Sequence, residues 1–210
     1  MHRFLRTPAC RTHLIFGANT DVGKTVISAG LVHASLRATS GDSEIRSSSG
    51  GESTSVVHYI KPLQCGGSDE IFVQKHVSAL WKDNRTIANK LHCQTLMDWE
   101  TFASPHVASR KENVPKSDEE VLSVLHAALS DIVSAAATPS STTWIETAGG
   151  VLSPSSSSPD NQSPYHAHAV KDNSNNDNSH WGWLPQGDLY KPLANVAPVV
   201  LIGDGRLGGK

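Results

Sequence analysis

The residues His13-Leu14-Ile15-Phe16-Gly17-Ala18-Asn19-Thr20-Asp21-Val22-Gly23-Lys24-Thr25 decide how the chain folds. HLIFG is a short apolar run ending on glycine, the pattern of a buried strand that enters a tight loop. Behind the loop, Val26, Ile27, Gly30, Leu31 and Ala34 recur at helical spacing. Strand, loop and helix in this order make a phosphate-binding arrangement, because successive backbone N–H groups and the positive end of the helix surround an anion. Lys24 would reach the β- and γ-phosphates of a nucleotide, and the Thr25 hydroxyl would ligate Mg²⁺. Ala18 stands where the usual GxxxxGK[ST] pattern has its first glycine, and Gly17 lies one residue earlier. The plainer alternative is an ordinary glycine turn before a helix; Gly-Lys-Thr in this setting argues against it.

Outward from the loop, strands and helices alternate. Val56 to Leu63 (VVHYIKPL) reads as a second strand ended by Pro62. Asp69 to Leu80 offers a helical face of Ile71, Phe72, Val73, Val77 and Leu80. Ser117 with Glu120 makes a capping box, and Val121, Leu125, Leu129, Ile132 and Ala136 form one stripe behind it. Thr142 to Glu146 is a third strand. Pro198 to Gly203 (PVVLIG) is a fourth, with the apolar pattern of a strand covered on both faces, part of that cover being expected from a helix past Lys210. The alternation implies an α/β fold of phosphate-loop NTPase-like type, a mostly parallel sheet with helices on both faces. Thr39 to Ser55 and Ser153 to His180 lack core-forming periodicity and read as disordered insertions in a single domain spanning 1–210. His166 and His168 lie in the second, where the composition argues against a metal site.

A length of 210 residues suits one mid-sized domain. With 18 basic and 20 acidic residues there is no field to attract nucleic acid, and no apolar run approaches the ~20 residues that span a bilayer. Neither a nucleic acid nor a membrane is therefore an expected partner. Cys10, Cys65 and Cys93 form no CxxC pair, which suits a reducing compartment. MHRFLRTPACRTH carries Arg3, Arg6 and Arg11 and no acid, a faint likeness to a mitochondrial transit segment; a ragged terminus on a cytoplasmic protein is the alternative.

Further candidates are weak one by one. Lys61 is read at a strand end, at the rim where open α/β sheets bind ligands. Asp69 and Glu146 are possible Mg²⁺ partners, Glu146 being read as the end of its strand, and a turn-capping carboxylate is the plain alternative. Ser104-Pro105-His106 is read as a short loop, and Gly203 to Gly209 (GDGRLGG) as a glycine-rich rim loop.

In their order, GANTDVGKT, YIKPLQCG, SDEIFVQKH, ASPH, IETAGG and LIGDGRLGG resemble the dethiobiotin synthetase family, most closely the synthetase half of its fused eukaryotic form. The resemblance covers Leu14 to Gly209 apart from the two insertions. It implies that ATP, CO₂ or bicarbonate and 7,8-diaminononanoate yield dethiobiotin, ADP and phosphate. It also implies Mg²⁺, a homodimer and a diaminopelargonate aminotransferase as fusion partner. Lys24 and Lys61 would be catalytic, and Thr25, Asp69 and Glu146 would hold the metal. Thr20, Asp21, Val22, Gly23, Val26, Thr147, Ala148 and Gly149 would face the nucleotide. Thr20, Lys61, Cys65, Ser104, Pro105, His106 and Gly150 would face the diamine.

Cys65 stands where the family usually has a hydroxyl, and family members continue past the counterpart of Lys210 with adenine-recognition and dimer elements. A truncated chain without activity, an amide-forming enzyme of the cobyrinate type and a nucleotide-switch ATPase are the rivals. The second needs a glutaminase domain that is not seen here. The third usually carries an early loop lysine, where this chain has Ala18, Asn19 and Thr20.

Overall fold

A computed structural model describes residues 10–39, 56–81, 89–135, 141–156, 184–194 and 197–204. The strands are β1 (Cys10–Gly17), β2 (Val57–Cys65), β3 (Leu91–Trp99), β4 (Ser141–Gly150) and β5 (Val199–Ile202). The helices are α1 (Lys24–Thr39), α2 (Asp69–Ala79), α3 (Pro105–Glu112), α4 (Asp118–Ala135), and the one-turn α5 (Gln186–Leu189) and α6 (Lys191–Ala194). All strand pairs are parallel, in the order β3-β2-β4-β1-β5. Each crossover therefore lays its helices on a face of the sheet.

Strand alternation divides the apolar residues between two cores. Ile15, Val57, Tyr59 and Trp144 meet Val32 and Leu36 of α1 and Val73 and Val77 of α2. Leu14, Phe16, Ile60 and Ile145 meet Ala108 of α3, the α4 stripe, and Leu189 and Leu193. Val121, Leu125, Leu129 and Ile132 are buried as expected, and Ala136 lies outside the described residues. Ser117 Oγ accepts from the Glu120 N–H at 3.0 Å, while the Glu120 carboxylate takes Lys116 Nζ at 2.8 Å. No helix among the described residues is long and apolar enough to cross a membrane.

Several expectations are corrected. β1 begins at Cys10, earlier than His13, and β4 runs past Glu146 to Gly150. Pro62 does not end β2, which continues to Cys65. Val57 donates to Lys90 O on the β3 side and Val56 O accepts on the β4 side, so Pro62 faces β4 by alternation. Pairing with β4 has already stopped at Ile60↔Ile145, and the missing N–H breaks no ladder bond. The expected face of α2 narrows to Val73 and Val77, and Ile71 and Leu80 are exposed. β3 was not expected at all: LHCQTLMDW has no clean period because it is an edge strand, buried only at Leu91, Met97 and Trp99. Among the described residues β5 is the opposite edge and pairs with β1, and its Val199 and Leu201 are exposed.

Residues 40–55 and 157–180, with His166 and His168, lie outside the described residues, as do 205–210. Ser153–Ser156, counted with the second insertion, belong to the packed body. Ser155 and Ser156 are fully buried, donating to Asp118 Oδ1 at 2.6 Å and to Lys116 O at 2.7 Å. Burial raises the Asp118 carboxyl to about 6, against the pull of the Ser155 hydroxyl. A carboxyl raised in the folded state contributes stability at low pH and loses it as pH climbs through about 6. Asp118→Asn keeps an acceptor for Ser155 and removes that loss. It is expected to match the parent's stability at about pH 3, below the unfolded carboxyl's range, and to exceed it by on the order of 1–3 kcal/mol at pH 8. Parallel melting curves across that range would show that Asp118 titrates normally.

Candidate functional site

The loop from Gly17 to Lys24 is pinned at both sides. Ala18 N donates to Ile202 O and Val151 N donates to Gly17 O, each at 2.7 Å. Asp21 (φ 59°) and Gly23 (φ 86°) turn the chain through the left-handed region, which Asp tolerates and Gly enters freely. The displaced first glycine has a steric reason. A Cβ on Gly17 would lie 2.7 Å from Asn19 O and 2.9 Å from Lys24 Cδ, whereas position 18 carries an alanine without difficulty. Gly17→Ala is therefore expected to displace Lys24 and to weaken Mg-ATP binding by about tenfold or more, the scale of one lost charge-assisted phosphate contact. Equal affinities in calorimetry would show that the loop accepts a side chain there.

Register builds the centre beneath the loop. Tyr59↔Trp144 and Ile60↔Ile145 are paired, so the next step places Lys61 beside Glu146 on the face covered by α1. Neither residue lies at a strand end, as the sequence suggested. Lys61 is 4% exposed and Glu146 is 0% exposed. Lys61 Nζ contacts Glu146 Oε1 at 2.8 Å, Asp69 Oδ2 at 2.6 Å and Thr147 O at 3.5 Å. Glu146 Oε1 also accepts from Thr25 Oγ1 at 3.1 Å. Its Oε2 accepts from Ser28 Oγ at 2.6 Å and Tyr59 OH at 3.0 Å. Burial alone would lower the Lys61 ammonium, but Glu146 and Asp69 outweigh it and hold it above the usual lysine range. Lys24 goes the other way, lowered by burial first and by Lys61 second, despite the pull of the nearby carboxylates.

These groups open into a cavity of about 620 Å³ between α1, α2 and the start of α3. Thr20, Asp21, Gly23, Lys24, Thr25, Val26, Asp69, Glu146, Ala148 and Gly149 line it, with Lys61, Cys65, Ser104 and Pro105. Leu63, Phe72, Phe102 and Ala103 also line it and make part of its wall apolar. Val22, Thr147, Gly150 and His106 are not among the lining residues. Thr147 Oγ1 donates to Ile15 O at 3.1 Å, so its side chain braces the sheet. Gly150 admits the loop: a Cβ there would come within 2.9 Å of Asn19 Cα. Ser104-Pro105-His106 is a helix start, not a loop, with Ser104 at the N-cap, Pro105 opening α3, and Ser104 Oγ 3.0 Å from His106 Nδ1. Burial, then Arg110, lowers His106 below its usual value. Burial pushes the Cys65 thiol up to about 12, leaving a neutral, weak hydrogen-bonding group at the wall.

Ser28, Tyr59, Gln64 and Phe102 were not singled out from sequence. Ser28 lies three residues beyond Thr25 on α1 and Tyr59 two before Lys61 on β2, so both share a face with an expected residue. That spacing is the signal that could have found them. Phe102 is 83% exposed and its ring lies over Gly66, where any Cβ would collide with it.

Among the described residues no three His, Cys, Asp or Glu gather as a metal cage. The Thr25, Asp69 and Glu146 oxygens instead share one cavity with the loop residues Thr20, Asp21, Gly23 and Lys24. With an all-parallel sheet, a strand–loop–helix carrying Gly-Lys-Thr, and a neighbouring strand's acid beneath that threonine, the domain is of the phosphate-loop NTPase-like α/β class.

No protein-family model matches the chain. Curated relatives do. It is 32% identical over 241 aligned positions, covering 93% of its length, to the bifunctional dethiobiotin synthetase/7,8-diamino-pelargonic acid aminotransferase, mitochondrial, of Oryza sativa subsp. japonica. It is 32% identical over 199, covering 95%, to the bifunctional dethiobiotin synthetase/adenosylmethionine-8-amino-7-oxononanoate aminotransferase of Emericella nidulans. The Arabidopsis thaliana protein, named like that of rice, is 27% identical over 94% of the chain. The chain spans 24%, 19% and 25% of these relatives' own lengths. It is thus a homologue of bifunctional dethiobiotin synthetases, in line with the resemblance carried by its motifs.

Proposed function

We propose that this chain is the catalytic domain of an ATP-dependent dethiobiotin synthase. The supporting observation is the Lys61 centre. A buried ammonium is held between Asp69 and Glu146 at the floor of a cavity whose other polar wall is the phosphate loop. In the proposed reaction one amine of 7,8-diaminononanoate takes up CO₂ and loses a proton, giving a carbamate. The carbamate oxygen attacks the γ-phosphorus and ADP leaves. The second amine then attacks the carbonyl of the mixed anhydride, closing the ureido ring and releasing phosphate. Two anions must meet in line, so the chain's main task is to neutralise and position charge. Lys24 faces the nucleotide phosphates, and Lys61 lies where it can meet both the carbamate and the transferring phosphoryl group. The apolar wall of Leu63, Phe72 and Phe102 suits the aliphatic chain of the diamine.

Thr25, Asp69 and Glu146 supply only hard oxygen donors, and Lys61 Nζ between the two carboxylates marks a place that already accommodates positive charge. The set fits Mg²⁺ shared with phosphate oxygens, where the ion would offset charge on the β- and γ-phosphates. Cys65 would give only a weak contact to the diamine. The same reading carries an aminotransferase as fusion partner, a homodimer, and a mitochondrial location, which the names of two relatives and the Arg-rich start support.

The test supplies the full-length protein with diaminononanoate, ¹³C-bicarbonate and Mg-ATP. Dethiobiotin labelled at the ureido carbonyl, with one ADP per ring, is expected. ATP hydrolysis indifferent to the diamine, without labelled product, would overturn the assignment.

A further inference from the structure

Four donors converge on the carboxylate of Glu146, two on each oxygen. The donors are arranged in two tiers. Thr25 and Lys61 line the cavity and both use Oε1. Ser28, one turn further along α1, and Tyr59, two residues back along β2, do not line it and both use Oε2. Both are fully buried. Helix and strand thus each deliver an outer and an inner residue onto one side chain.

We propose that Tyr59 and Ser28 are positioning residues that saturate Oε2 of Glu146 and so fix Oε1, and with it the Lys61 ammonium, at the cavity floor. The terminal torsion of a glutamate is soft, so a carboxylate held through one oxygen alone can swing. Donors on Oε2 remove that freedom. A tyrosine hydroxyl is protonated at neutral pH and therefore a donor. Lys61 needs this anchor because its contact to Thr147 O, at 3.5 Å, is its longest and the one a ligand oxygen can replace. The contacts to Glu146 and Asp69 then keep the ammonium in place while it meets the ligand. This role rests on the proposed reaction.

The test compares Tyr59→Phe, Ser28→Ala and their double variant in the full-length protein, with Glu146→Gln and Glu146→Gln/Tyr59→Phe alongside. The double variant should lose about 10–100-fold in kcat for dethiobiotin formation, while its Kd for metal-free ATP stays within about twofold, because the phosphate loop is untouched. In the Glu146→Gln background Tyr59→Phe should cost less than about twofold more, since its route of action is already gone. Unchanged kcat in the double variant, an equal loss in Kd and kcat, or full additivity with Glu146→Gln would overturn the role. Ser28→Ala, the smaller deletion, decides the matter if Tyr59→Phe fails to fold. A parent that forms no dethiobiotin overturns the reaction instead, and the same comparison read on ATP hydrolysis then decides the positioning role by itself.

Discussion

Lys61→Met in the full-length protein is expected to lower dethiobiotin formation by about 10²–10³-fold while changing ATP affinity by less than about tenfold. The ammonium lies between Asp69 and Glu146 and is 4% exposed, so it is placed before substrate arrives and costs no reorganisation when charge moves. Its proposed partners are the carbamate and the transferring phosphoryl group, which explains an effect on turnover above all. Methionine fills most of the volume but leaves two carboxylates without their cation. Glu146 keeps its three hydroxyl donors, Thr25, Ser28 and Tyr59, so the fold should survive at a cost of a few kcal/mol. Steady-state turnover, calorimetry with Mg-ATP and a melting curve separate these effects. Normal turnover would remove Lys61 from the mechanism, and a loss confined to ATP affinity would move it to the nucleotide.

Lys24→Ala should give the opposite pattern. The Lys24 ammonium is 7% exposed and has only a long contact, 3.5 Å, to Asn19 O; among the described residues it pairs with no carboxylate. Burial and the nearby Lys61 lower its pKa, the mark of a cation waiting for an anion. Removing it relieves an uncompensated charge, so the melting temperature should hold or rise. ATP affinity should fall by about 10–150-fold, equivalent to roughly 1.5–3 kcal/mol for a charge-assisted phosphate contact. Undiminished affinity would refute the phosphate-loop reading. The two lysines thus differ in sign on stability: Lys61 is structurally bound to its acids, and Lys24 is held in reserve.

Local chemistry by itself determined the phosphate loop, the α/β class and the α4 stripe. HLIFG followed by Gly-Lys-Thr and a helical repeat needs no distant partner to be read, because backbone geometry and periodicity are short-range properties. The same holds for Ser117 capping α4 and for Lys24 and Thr25 beside the loop. The edge strand β3 escaped this reading, because its half-exposed residues blur its period. Pro62 seemed to end a strand until the register showed that its missing N–H faces no partner. Above all, only the tertiary structure decided that Glu146 is a buried hub. Its donors come from α1 at positions 25 and 28 and from β2 at positions 59 and 61, and only the pairing of β2 with β4 beneath α1 brings them onto one carboxylate. Sequence spacing specifies which residues share a face; which faces meet is set by strand order and register, and these arise from burying both cores at once.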